Sequence, residues 1–503
     1  MGGTGVGSPW RLLRAAACGL GLLGGFAGGL VVGSVVLLVM DGPSFPPVVV
    51  LLVAGTVGFF YTALGRGILR KGPWAAACGV LAGVVAAASL FLWYRSNRVE
   101  EAWAVPNDRP KALKAVGAWV TPDLAVRARA DLVTAYRITD GAVAWTWEPP
   151  GRDTVCAMSA ATHDGLGLIG HAPAGKPCVA TVALDLRGGT TRWAHHDDAA
   201  ALFPTEPFVM RLALAGDVAV VRRGSGWQAL SAADGRELWR TEAGEGCFPA
   251  FVDAVPGSVV AVVHCSSESE SESESGPVRA AALRIAPDTG AVLTRTVLPV
   301  QDGLTRYAVL SADPLVLWVG ESVARGTRAV LVIDGRGAVR TTIPAEAEDH
   351  TLLVDGFDTY GTVTFGARPI PAAVVDRGLL IAPAVEPGDR RVIPGRHGSS
   401  FQYDGRLVAV SLDDGTRRWT SGLDDETRGI TVSDGSVWVL GRDDLFRVDL
   451  ASGRRVRTLS GYGLGHAQPV SLTVRGDRYL VIAEDGTGSL PPVRALRPDF
   501  VVF

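Results

Sequence analysis

From residue 115 onward, apolar and polar positions alternate in short runs separated by Gly, Asp and Pro. A period of two turns one face of an extended strand toward a core, so each run predicts a β-strand. The strands group into eight successive units of four, the last ending weakly at 500–503, so a count of seven stays open. Before residue 95 the pattern differs. Apolar runs at 12–40, 48–65 and 74–94 show no alternation. A helix needs roughly 20 apolar residues to cross a bilayer, so the runs predict an N-terminal bundle of three transmembrane helices. The first run is longer than the roughly 7–15 apolar residues of a cleaved signal, and no A-x-A site closes it. Arg11 and Arg14, and then Arg66, Arg70 and Lys71, place the N-terminus and the second connection on the cytoplasmic side. The chain after residue 95 is then extracytoplasmic, and the charged, Pro-containing stretch 96–114 is expected to be a linker.

One stretch recurs within the units. It reads ALSAADGRELW at 229–239, AYRITDGAVAW at 135–145, ALDLRGGTTRW at 183–193 and AVSLDDGTRRW at 409–419. Copies without the Trp lie at 329–339 and 447–457. Each is a strand, a Gly-containing turn and a second strand, a β-hairpin. The turn glycines fall at 141, 189, 235, 290, 335, 415 and 453, and the long step from 335 to 415 marks an insertion in unit 6. Four-stranded units repeating at about 40–50 residues predict propeller blades.

The residues Ala183, Asp185, Gly189 and Trp193 resemble the blade motif Ala-x-Asp-x-x-Thr-Gly-x-x-x-Trp of the PQQ-like (quinoprotein alcohol dehydrogenase-like) β-propeller repeat. Ala135, Gly141 and Trp145 match it, as do Ala229, Gly235 and Trp239, and Ala409, Gly415 and Trp419; the Thr position is Asp in those three copies. The resemblance covers about residues 115–503 and implies a propeller in which Trp145, Trp193, Trp239 and Trp419 dock against the next blade as structural plates. It also raises a quinoprotein-type oxidoreductase, or a ligand sensor, using the propeller channel. Such enzymes hold PQQ with calcium and often carry a disulfide between adjacent cysteines. This chain has no adjacent cysteines and no acidic residue that stands out as a base. No catalytic residue, metal ligand or cofactor is therefore expected, with PQQ and calcium as the alternative.

A net charge of −3 gives no electrostatic case for nucleic acid. Abundant Ala, Gly, Val and Arg resemble the usage of a GC-rich bacterial proteome. Of six cysteines, Cys18 and Cys78 fall in the apolar runs. Cys156 and Cys178 in unit 2, and Cys247 and Cys265 in unit 4, occupy similar places and are candidate intra-blade disulfides, which suit an oxidising compartment. His163, His171 and His264 lie near them without metal-ligand spacing, and His195, His196, Asp197 and Asp198 read as a solvated loop. Two stretches break the repeat: the acidic SSESESESES at 266–275, and the insertion 383–405 with Arg390, Arg391, Arg396 and His397. The sequence thus predicts a membrane-anchored, extracytoplasmic propeller. It would contact the bilayer through three helices and bind a protein or cell-envelope partner at a propeller face or at these two loops. A subunit of an envelope assembly complex is a looser form of the same reading.

Overall fold

Val, Leu, Ile and Ala fill the second and third strand of each unit and leave no face for water. The run Val259–Val263 in unit 4 and Leu315–Glu321 in unit 5 are buried throughout. The outer strands instead alternate, exposed on one face and buried on the other, as in Glu237–Glu242. A sheet of this kind is stable only when sheets pack on both its sides. The computed structural model shows that arrangement: seven four-stranded antiparallel sheets and one five-stranded sheet, which are the blades of an eight-bladed β-propeller. It describes residues 98–497 except 110–114, 175, 177, 179, 197–211, 267–277, 301–304, 322–325, 355–371, 388–389, 396–397, 404, 424–425, 462–469 and 484–490, and six isolated positions before residue 98. The chain divides into two compact units, and the propeller is the unit Val99–Pro498.

Blades 1 to 7 occupy residues 115–147, 153–196, 212–242, 247–298, 305–344, 351–422 and 429–460. First strands of successive blades are neighbours, as between Ala115–Val120 and Asp153–Met158, so the first strand of each blade is the inner one. The hydrophobic core is not inside any blade. It is eight clusters, each shared by two adjacent blades.

Three expectations are corrected. The N-terminal bundle of three transmembrane helices is overturned: among the described residues no helix is long and apolar enough to cross a membrane, and the named elements are all strands. The runs 12–40, 48–65 and 74–94 lie outside the described residues apart from the six isolated positions. An apolar run of sufficient length is necessary for a span but does not by itself establish one. The second correction concerns the 96–114 linker. It supplies the outer strand of blade 8, Glu100–Ala104, which pairs with Val493–Arg497. The fourth strand of blade 8 therefore comes from the start of the propeller; residues 500–503 lie outside the described residues. Third, the turn glycine of blade 5 is Gly337, which has φ +84°, and not Gly335.

Blade 6 accommodates its insertions without losing register. Thr351–Leu352 and Val374–Asp376 pair with consecutive parts of Leu379–Val385, so residues 353–373 interrupt the inner strand. A second insertion forms the hairpin Arg390–Gly395 with Gly398–Tyr403. Ala384 still faces Arg406, so the blade resumes where it stopped.

The repeated motif explains how blades dock. Ala135, Ala183, Ala229 and Ala409 lie directly opposite Trp145, Trp193, Trp239 and Trp419, each followed by a β-bulge. The small Ala leaves the indole room. Each indole reaches the turn of the next blade, where Trp145 Nε1 donates to the Leu186 carbonyl at 2.8 Å, Trp193 Nε1 to Ala232 at 2.8 Å and Trp419 Nε1 to Leu450 at 3.0 Å. The turn glycine lies against the ring. A Cβ on Gly189, which has φ +69°, would stand 2.6 Å from Trp145. Blade 8 uses the same device across the chain ends: Trp103 faces Ala495 and donates to Ile138 at 2.9 Å. Blades 4 and 5 have Thr294 and Thr341 at the Trp position, and Thr hydroxyls bridge instead, from Thr296 to the Gly337 carbonyl and from Thr341 to Asp413.

Aspartates brace these turns. Asp140 is held below the usual carboxylate range by the Arg137 guanidinium, Asp185 by the Arg187 N–H, Asp334 by the Ala338 N–H and Asp449 by the Ser452 hydroxyl. Asp414 is lowered to about 2 by the N–H and then the hydroxyl of Thr416.

Two predictions follow from this docking scheme. Gly189→Ala combines a left-handed φ with a clash at Trp145 and is expected to cost about 2–4 kcal/mol, whereas Gly188→Ala, with nothing within 4 Å, should be close to neutral; denaturant unfolding of the two variants checks this. The depressed turn aspartates stabilise the fold fully above the ordinary carboxylate pKa, and that contribution is lost as pH falls through their folded values. Stability should therefore drop between about pH 4 and pH 2, and Asp414→Asn should flatten part of that drop in thermal unfolding measured against pH.

Candidate functional site

The strand order gives the propeller two unlike faces. In each antiparallel blade the turn joining strands 1 and 2 and the turn joining strands 3 and 4 lie at the same end. They are bonded to each other, as in Leu186 N–H to Gly165 and Ala232 N–H to Asp217. These turns are short and rich in Gly and Asp. The other end carries the connections between strands 2 and 3 and those between blades. The long segments leave from there: 197–211, 267–277, the hairpin insertion of blade 6, 462–469 and 484–490.

Buried charge collects at that same end. Of eight buried Arg, His, Asp and Glu side chains among the described residues, only Asp253 lies near the short turns. The other seven, Arg127, Arg129, His171, His264, Glu321, Arg428 and Arg494, stand at strand ends under the long connections. Burying a charge is tolerated only when it is paired, and the partners are specific. Asp108 lies between Arg127 at 2.8 Å and Arg129 at 3.2 Å, and Arg129 also meets Asp131 at 2.7 Å. Burial works against the Arg129 cation, but the hydrogen bonds to Asp131 and Asp108 outweigh it and hold the guanidinium above its ordinary value. Arg127 Nε donates to the Ala483 carbonyl of blade 8 at 2.8 Å. Arg494 meets Glu101 at 2.5 Å. Asp108 and Glu101 both belong to the segment that closes the ring, so these pairs clamp it to blades 1 and 8. At the junction of blades 7 and 8, Glu426 holds buried Arg428 at 2.5 Å and exposed Arg442 at 3.7 Å.

Each of the two disulfides lies beside a buried histidine at this end. Cys156 is bonded to Cys178, and Cys247 to Cys265. The second joins directly opposed residues of the first two strands of blade 4. The first crosses over the second strand of blade 2, where a Cβ on Gly170 would stand 3.1 Å from Cys178 Sγ. In blade 4, His264 Nε2 lies 2.6 Å from the Tyr307 hydroxyl of blade 5 and edge-on to Phe248. Burial raises the Tyr307 phenol far above its ordinary range, so it stays neutral. In blade 2, His171 Nδ1 lies 2.7 Å from Asp153 Oδ2.

Not every residue singled out in the sequence reaches this face. His163 is at a short turn, with Nε2 3.9 Å from Asp164 and 3.7 Å from Asp217 of blade 3, an open group whose side chains are 42%, 89% and 93% exposed. His195 and His196 end the outer strand of blade 2, while Asp197 and Asp198 lie outside the described residues. Of the stretch 266–275, only Ser266 is described, at the end of a strand. Within 383–405 the backbone of the hairpin is described, but the side chains of Arg390 and Arg391, and Arg396 and His397 altogether, lie outside the described residues.

Sequence reasoning missed Trp103 and the Asp108 clamp. Leu124–Arg129, reading LAVRAR, looks like a half-exposed strand, yet five of its six residues are buried. Nothing local signals that Arg127 and Arg129 face a carboxylate about twenty residues earlier.

The sequence matches no family model and no curated protein. Among solved structures the chain is similar to BamB from Moraxella catarrhalis, with 15% identity, 79% of this chain and 99% of that chain covered, and a TM-score of 0.45. It is also similar to quinohemoprotein alcohol dehydrogenase from Comamonas testosteroni, with 13% identity, 81% and 77% covered, and a TM-score of 0.48. The WD40 domain of Pan2 from Neurospora crassa aligns at 8% identity, with 81% and 98% covered and a TM-score of 0.41. At such identities and scores the likeness says nothing about activity.

The clamp is testable directly. Asp108→Ala leaves Arg127 buried without its carboxylate and is expected to cost about 3–5 kcal/mol, read by denaturant unfolding. The exposed pair Arg137–Asp140 serves as the comparison, where Asp140→Ala should cost much less.

Proposed function

We propose that this propeller is a protein-binding scaffold that presents its long-connection face to a partner in an oxidising, extracytoplasmic compartment. The observation that carries the reading is the difference between the two faces. One face is made of short turns whose glycines and aspartates are consumed in blade docking. The other holds the long connections, set on strand ends braced by buried ion pairs and both disulfides. Variable loops on a rigid base are how a repeated fold gains a binding surface. The tryptophans, which would otherwise be natural ligand platforms, are engaged between blades. The two disulfides support the compartment, since such bonds persist where thiols are not kept reduced.

The test compares the faces in cells of the source organism. A photo-cross-linker is placed in 386–405 or at 484–490 on one face, and at Gly216 or Gly257 on the other. Adducts to a protein should form from the first pair only. Those from 484–490 should disappear when 386–405 is replaced by Asn-Gly, a change that the pairing of Ala384 with Arg406 accommodates. Equal labelling from both faces would remove the basis of the reading.

A further inference from the structure

Three polar side chains of blade 2 share a surface that the scaffold reading does not use. Val155 lies opposite His171, His171 opposite Ala180, and Ala180 opposite His196. Directly opposed residues of antiparallel strands project from the same face. His171 and His196 therefore stand on either side of the Ala180 methyl, on the face turned toward blade 1, where Val155 joins the core of blades 1 and 2. Their rings are 6.3 Å apart, centroid to centroid, and nearly perpendicular at 85°. A larger residue at position 180 would separate them. Trp147 of blade 1 closes the other side of His171, its ring 6.3 Å away.

His171 is only 1% exposed. Its Nδ1 lies 2.7 Å from Asp153 Oδ2. A carboxylate at Nδ1 favours the tautomer with its hydrogen there, which turns Nε2 into the nitrogen that offers a lone pair. Nε2 has no hydrogen-bond partner among the described residues. Nε2 is not among the fully buried atoms that lack a partner, so it keeps a narrow opening to solvent, and it stands beside a second imidazole. A carboxylate on one imidazole nitrogen that fixes the tautomer and turns the other nitrogen into a ligand is the outer-shell arrangement of histidine metal sites.

We propose that His171 and His196 bind a divalent transition-metal ion of the zinc class, with Asp153 as the outer-shell carboxylate and solvent completing the coordination. Imidazole nitrogen suits Zn²⁺, Cu²⁺ and Ni²⁺. Two nitrogens at about 2.0 Å from one ion lie roughly 3.3 Å apart, and exposed His196 is free to turn toward buried His171 to reach that spacing. A proton and the ion compete for the same Nε2 lone pair, so binding weakens in acid. The open group of His163, Asp164 and Asp217 has no buried member and no oriented ring, which makes it the control.

The experiment uses the full chain, stripped with chelator and then titrated with ZnCl₂ by calorimetry and with CoCl₂ by visible absorption. One Zn²⁺ per chain is expected, with a Co²⁺ spectrum showing nitrogen ligation. His196→Ala, at the rim of the blade, should weaken binding at least tenfold. Asp153→Asn should weaken it about 10–100-fold. His163→Ala should leave it unchanged. Thermal unfolding without metal establishes that the variants are folded; if Asp153→Asn is not, His196→Ala decides. The proposal fails if the wild-type chain takes up no Zn²⁺, if His196→Ala binds as tightly as wild type, or if His163→Ala abolishes the binding.

Discussion

The structure depends on one contact repeated around a ring: an indole of one blade laid on the turn glycine of the next. Gly supplies a left-handed φ that other residues resist, and its missing Cβ lets the ring approach to a distance no side chain would allow. The indole N–H then closes on the carbonyl three residues before that glycine. Trp103, Trp145, Trp193, Trp239 and Trp419 all do this. Because the hydrophobic clusters lie between blades, no blade has a core of its own, and cohesion passes from neighbour to neighbour. Three blades lack the Trp: in blades 4 and 5 threonine hydroxyls supply the polar half of the contact without the apolar plate, and in blade 7 Arg457 stands at that position.

A ring of such contacts must also close. Closure falls on the segment 99–109, which adds the outer strand of blade 8, sets Trp103 on Gly141 and drives Asp108 between two arginines of blade 1. Both the apolar and the ionic parts of the contact are needed. The strand pairing fixes register, while the buried carboxylate cannot leave without stranding Arg127 in the interior. Part of the buried charge at this end is tied to topology: Arg494 meets Glu101, and Arg127 meets the Ala483 carbonyl, where the two ends of the propeller come together.

The same end gathers the disulfides, the buried histidines and the connections 197–211, 267–277, 386–405, 462–469 and 484–490, while the described turns at the opposite end are short. Blade 2 shows how closely these are combined. Within it, Gly170 lets a disulfide pass over a strand, Ala180 lets two imidazoles face each other, and Asp153 fixes the orientation of one of them. Small residues at Gly170 and Ala180 make room for chemistry, as Ala135 and its equivalents make room for indoles.

What the sequence determined by itself was the blade. The Ala-to-Gly-to-Trp spacing is local, because the hairpin that carries it is local, and alternation placed the strands of blades 1 to 5 and 7 near where they stand. The cysteine pairs were legible for the same reason, since each closes within one blade. Hydropathy alone predicted three spans before residue 95, whereas among the described residues no helix is long and apolar enough to cross a membrane. Tertiary structure decided the rest. The motif of blade 8 is divided between Ala495 and Trp103, at opposite ends of the propeller, so no window of sequence contains it. Asp108 acquires its partners, and His171 its neighbour His196, only when strands far apart in sequence are laid side by side. Local spacing fixes a repeated hairpin; the pairing of distant strands determines where the ring closes and which polar groups it encloses.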